Sequence, residues 1–67
     1  MNIDIRKSIM ANFKDSKKED VLESIESAIN DHDEVTLPGL GVFFELLWQN
    51  SNENEKDKIV SNILSSL

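Results

Sequence analysis

One stretch, Thr36-Leu-Pro-Gly-Leu-Gly-Val-Phe-Phe-Glu-Leu-Leu-Trp48, limits what this chain can become. It holds the only Pro, both Gly, the only Trp and two of the three Phe of a 67-residue sequence. On a helix turning about 100° per residue, Val42, Phe43, Leu46 and Leu47 form one broad face. Phe44 and Trp48 carry the apolar arc further round. Only Glu45 and Gln49, four apart, make a polar stripe, and Asn50 interrupts the end. A helix that is apolar nearly all round must be covered on more than one side. The other segments are therefore expected to wrap around it.

Those segments are polar, with apolar residues at helical intervals. Ile5, Ile9 and Phe13 fall at i, i+4 and i+8 with Met10 beside them, and Ile3 extends the stripe. Asp4 is placed to cap this helix or to sit in its first turn, where a negative charge is favourable. Lys14-Asp15 ends it. Ser16-x-x-Glu19 has the form of a capping box, and Val21, Leu22, Ile25, Ala28 and Ile29 follow as one face. A helix is expected from Lys17 to Asp31.

Asp31-His-Asp-Glu34 reads as a polar connector. Val35-Thr-Leu37 reads as a short extended piece, because Pro38 biases Leu37 away from helical angles. Gly39 and Gly41 suit a tight turn with positive φ, with Leu40 between them plugging inward. The central helix is then expected over Gly41–Asn50. After a polar break, Ser51 or Asn52 caps a last helix. Asn52-x-x-Glu55 is a second capping-box pattern, and Ile59, Val60, Ile63, Leu64 and Leu67 form the apolar face. The expected fold is all-α: a small four-helix domain over residues 1–67 with a Pro-Gly turn before a buried central helix.

Composition narrows function. Without Cys there is no disulfide and no thiolate metal site. A single His, His32, makes no multi-histidine site, and four consecutive polar residues rarely converge on one ion. A phosphate-cradling loop needs a Lys and a Ser/Thr at set spacing after its glycines, and these are missing. Glu45 is the best acid/base candidate, because it lies on the most apolar helix, but as the wet stripe of that helix it has a simpler reading. With one His on a connector, a nucleophile–base pair is not expected. No catalytic residue, cofactor or metal is assigned, and the chain is read as not an enzyme. No apolar run approaches a membrane span, and the start has no secretory h-region, so a soluble intracellular protein without membrane partners is expected.

The net charge of −6 argues against bulk attraction to nucleic acid. Its distribution is uneven. Residues 1–18 carry five basic and two acidic groups, and residues 19–34 carry seven acidic groups and no basic one. Two neighbouring helices of opposite charge account for this. The alternative is a polyanion-binding face made of Arg6, Lys7, Lys14, Lys17 and Lys18. Phe43, Phe44 and Trp48 lack the interleaved cations of a base-stacking platform, so core packing is their first reading. If some of that surface stays open, the next readings are a homodimer through the central helix and an adaptor docking on another protein through Phe44 and Trp48.

The stretch Leu37-Pro-Gly-Leu-Gly-Val-Phe-Phe-Glu-Leu-Leu-Trp48-Gln-Asn resembles the signature of the minor small acid-soluble spore proteins of the type lettered I. The likeness runs through the whole chain: the Asn/Asp and Ile start, the size, the acidic balance, the segment order and the final Glu/Lys-rich helix. Phe43 departs from it, where an aliphatic residue is expected. The resemblance implies a protein of sporulation stored in the spore core, with no defined molecular activity. Leu37, Pro38, Gly39, Leu40, Gly41, Val42, Phe43, Phe44, Leu46, Leu47 and Trp48 are the signature and the candidate core. A second, partial likeness is to the first half of the histone-like DNA-bending protein HU: two amphipathic helices, a connector, then Val35-Thr-Leu-Pro-Gly-Leu-Gly-Val-Phe43. In that family the glycine segment begins a β-sheet leading to a basic arm, which is absent here. It implies, as the alternative function, a DNA-associated chromatin protein.

Overall fold

The computed structural model describes residues 4–67. Four helices follow one another: α1 Ile5–Phe13, α2 Lys18–Asp31, α3 Leu37–Gln49 and α4 Glu53–Ser65, with a single 3₁₀ turn over Glu34–Thr36 before α3. Ile3 lies outside the described residues. Among those residues there is no strand, so the chain is all-α as expected.

Local chemistry sets most boundaries. Asp4 caps α1, its Oδ1 accepting from the Lys7 amide at 3.0 Å. The chain then turns on a bond from the Ser16 amide to the Phe13 carbonyl, 3.1 Å. That turn moves the start of α2 on by one residue. The extended residue before it is Lys17, at φ −82° and ψ 162°, not Ser16. The Lys17 amide donates to Asp20 Oδ2 at 3.1 Å, so Asp20 does the reaching back that Glu19 was expected to do.

His32 ends α2 in the left-handed region, φ 51° and ψ 27°, with its amide donating to the Ile29 carbonyl. It is a cap in a conformation that glycine usually takes. Asp33 Oδ1 then accepts from the Val35 amide at 3.0 Å. The Thr36 hydroxyl donates to the Asp33 carbonyl at 2.7 Å, with the Ala28 carbonyl 3.3 Å away. These bonds wind the connector into 3₁₀ geometry and leave no extended piece at Val35–Leu37.

The expected Pro-Gly turn is likewise absent. Leu37 is helical, at φ −60° and ψ −40°, and neither glycine has positive φ. Pro38 lies in the first turn of α3, where its missing N–H would have no intrahelical acceptor anyway. The 3₁₀ turn delivers the backbone already coiled, and this outweighs the bias of a residue before proline. The helix is therefore four residues longer at its start than expected. A Cβ on Gly39 would lie 3.8 Å from Ile9 Cδ1, so α1 crosses α3 closely at this point.

At the other end of α3 the free carbonyls are taken locally. Asn50 Nδ2 donates to Leu46 O at 2.8 Å and Ser51 Oγ to Leu47 O at 2.6 Å. Asn52 and Glu55 then make both halves of the expected capping box, each at 2.8 Å.

Burial is sparser than expected. Val42, 6 % exposed, is the one fully buried residue among those described. Ile9, Phe13, Val21, Ile25, Leu40, Phe43, Leu46, Trp48 and Ile59 are half-buried around it. Leu37, Pro38, Gly41, Phe44 and Leu47 of the candidate core are exposed instead. The cause is a shortage of chain. Chains of this size bury only about 60 % of their unfolded surface, and α1 is nine residues long. The radius of gyration, 13.2 Å, exceeds the roughly 11 Å of a compact domain of this length.

Candidate functional site: the open apolar faces of the central helix

Among the surfaces where helix α3 meets the rest of the molecule are two open apolar grooves and one ion pair. On one side α1, α2 and α3 enclose an open apolar groove of about 670 Å³, walled by Met10, Phe13, Val21, Ile25, Phe43 and Leu46, with Lys14 at its lip. The Phe13 and Phe43 rings meet edge to face there, centroids 5.1 Å apart at 75°. This is the arrangement that ring quadrupoles favour, and the aromatic departure at Phe43 is what supplies it.

On the other side Phe44 and Trp48 of α3 and Val60 and Ile63 of α4 line a second groove, about 290 Å³. The Phe44 and Trp48 rings are tilted by 31° with centroids 5.9 Å apart. Lys56 Nζ sits 5.2 Å from the Trp48 ring centre, a cation–π contact.

Arg6 reaches from α1 to Glu45 of α3 in a two-pronged pair, Nε to Oε2 and Nη2 to Oε1, both 2.7 Å. The guanidinium bonds hold the Glu45 carboxylate below its ordinary value of 4.5. They raise the Arg6 pKa further. A general acid or base at neutral pH needs the opposite shift for a carboxylate. Glu45 is thus the wet stripe of its helix and is occupied as a clamp. Its partner, 39 positions away, carries no sequence signal.

The proposed polyanion contacts are not assembled into one patch by anything seen here. Arg6 is engaged by Glu45. Lys7 and Lys14 fall on one side of α1 by helical spacing, with Arg6 about a quarter turn away. Lys17 precedes α2 and Lys18 opens it, its first turn also carrying Glu19 and Asp20. His32 is committed as a cap. Among the described residues no group of three or more His, Cys, Asp or Glu could hold a metal ion. Nor is any helix among them long and apolar enough to cross a membrane.

The fold and its surfaces define a class: a small, acidic, all-α module whose distinguishing feature is the uncovered apolar flank of its central helix. Residues 3–67 match the family model described as "Small, acid-soluble spore protein I". The chain is 43 % identical over its whole length to the small, acid-soluble spore protein I of Halalkalibacterium halodurans, covering 98 % of that protein. It is 40 % identical to the protein of that name in Geobacillus kaustophilus, over 94 % of this chain and 91 % of the relative. The relative of that name in Shouchella clausii is 37 % identical across the full chain. The chain belongs to the small, acid-soluble spore protein I family, which is not a known enzyme family. No solved structure matches it. The partial likeness to HU finds no support: the segment that begins a β-sheet there is the first turns of α3 here.

Proposed function

We propose that this chain is a non-catalytic protein of sporulation, held in the spore core of a spore-forming bacterium and acting through packing and charge. The observation that carries the reading is the match to the family along the chain, residues 3–67. Two physical features support it. Glu45, the carboxylate in the groove between α3 and α4, is held below its ordinary value by Arg6. The charge of the chain also explains how it stays dissolved in acid. At neutral pH the 13 acidic groups leave a net −6. In strong acid the balance reverses, because the seven Lys and Arg keep their charge. High net charge of either sign keeps chains apart.

The test is fractionation and genetics together. Dormant spores of the source bacterium, stripped of their coats, should release the protein into dilute acid, and vegetative cells should lack it. A deletion strain should show a defect in spore formation, resistance or outgrowth. Recovery of the protein from growing cells or from the coat fraction alone contradicts the proposal.

A further inference from the structure

We propose that the flank formed by α3 and α4 is a self-association surface on which a second copy of this chain docks about a two-fold axis. Phe44 and Leu47 of α3 and Val60, Ile63 and Leu64 of α4 are all exposed large apolar residues. The groove lined by Phe44, Trp48, Val60 and Ile63, with Glu45 and Gln49 along its α3 wall, makes the two helices one continuous surface.

Charge selects the occupant. Residues 59–67, Ile-Val-Ser-Asn-Ile-Leu-Ser-Ser-Leu, contain no charged side chain in a sequence that is 30 % charged. Loss of charge at the centre of a patch is the compositional mark of an interface. Val60, Ile63 and Leu64 stand at i, i+3 and i+4 on one face of α4, and Leu67 follows just beyond the end of the helix at Ser65. Such a face is complementary to itself, which is what a two-fold interface requires. The groove between α1, α2 and α3 lacks this property. Two copies meeting there would oppose α2 helices from the segment with seven acidic groups and no basic one.

Area agrees. A compact monomer of 7.6 kDa exposes about 4,300 Å² by the usual mass scaling. This chain exposes 5969 Å². The excess, about 1,700 Å², is spread over the whole chain, and it is large enough to include the roughly 800 Å² that each partner gives to an interface of standard size.

The experiment is sedimentation equilibrium of the full chain from micromolar to millimolar concentration, at low and at high salt. The mass should rise from 7.6 kDa to twice that value and stop. Because each copy carries −6, salt should tighten the association by screening repulsion. Leu64→Glu and, separately, Leu67→Glu should shift the midpoint about tenfold or more to higher concentration, since one buried charge costs upwards of 1.4 kcal/mol. Both positions are exposed in the monomer, at 68 % and 94 %, so the helical circular dichroism should be unchanged. Leu22→Glu, 56 % exposed on α2, should leave the midpoint where it was. A chain that stays monomeric at millimolar concentration overturns the proposal. So does growth beyond a dimer, or a midpoint that responds to Leu22→Glu as strongly as to the α4 variants.

Discussion

Val42→Ala is the sharpest probe of where this molecule keeps its core. Val42 is the only described residue that is fully buried, on the face of α3 shared by Phe43 and Leu46. Truncation removes two methyl groups, worth about 0.8 kcal/mol each in lost transfer energy. Alanine gains up to about 0.7 kcal/mol in helix propensity over a β-branched residue. The flanking grooves are open, so the surroundings can relax and the added cavity cost stays at the low end. The net loss should be about 1–2 kcal/mol. In a domain this small each kcal/mol moves Tm by roughly 4–8 °C, and total stability is only about 3–10 kcal/mol. Leu37→Ala is the comparison. It removes more carbon from the same helix, but at a position 59 % exposed. Its cost should be under about 1 kcal/mol, because little of its area leaves water on folding. Urea melts followed by circular dichroism and by Trp48 fluorescence, at a concentration where the mass is monomeric, give both values. A Leu37→Ala variant less stable than Val42→Ala would refute the placement of the core.

Three further outcomes follow from local geometry. Gly41 sits inside α3 with nothing within 4 Å of an added Cβ, so Gly41→Ala should stabilise the protein by roughly 0.5–1 kcal/mol in thermal melts. His32 occupies a left-handed cap at φ 51°. His32→Gly should raise stability by roughly 0.5–1 kcal/mol, after the looser unfolded chain offsets part of the relieved strain; a loss would mean that the imidazole does more than cap. Glu45, depressed by Arg6, should add stability that is present above its ordinary value of 4.5 and disappears as pH falls through its folded value. Wild type and Glu45→Gln should therefore differ in Tm at pH 7 and converge in acid. A constant gap would show that the Arg6 clamp is not the source.

Much of this fold was legible because its signals are local. Asp4 and the Asn52–Glu55 box declare helix starts through side chains within three residues of the amides they serve. Ser16 and Lys17 show the limit of such reading. Ser16-x-x-Glu19 has the residue types of a full box, but the turn closed on Phe13 puts Lys17 at the boundary, where only the return half forms, from the Lys17 amide to Asp20. Leu37-Pro-Gly is equally double-edged: proline and glycine mark a turn, yet proline is also at home in the first turn of a helix. Thr36 and Asp33, by coiling the connector, decide for the helix. The Arg6–Glu45 pair was hidden because nothing in a sequence marks which distant residue faces which. The exposure of Phe44 and Leu47 was hidden for another reason. Periodicity tells which face is apolar, not whether enough chain exists to cover it. Here α1 and α2 pack on one side of α3, and too little chain remains to cover the side that carries Phe44 and Leu47.

Residue-resolved amide hydrogen exchange on the native protein tests the central structural claim most directly. If α3 runs unbroken from Leu37 with its middle as the core, amides from Gly41 through Leu47 should be the slowest in the molecule. Gly41 should be protected through its bond back to Leu37, while the last turn of α4 exchanges quickly at low concentration. Fast exchange at Gly41 and Val42, as a Pro-Gly turn would give, or greater protection in α4 than in α3, would contradict it.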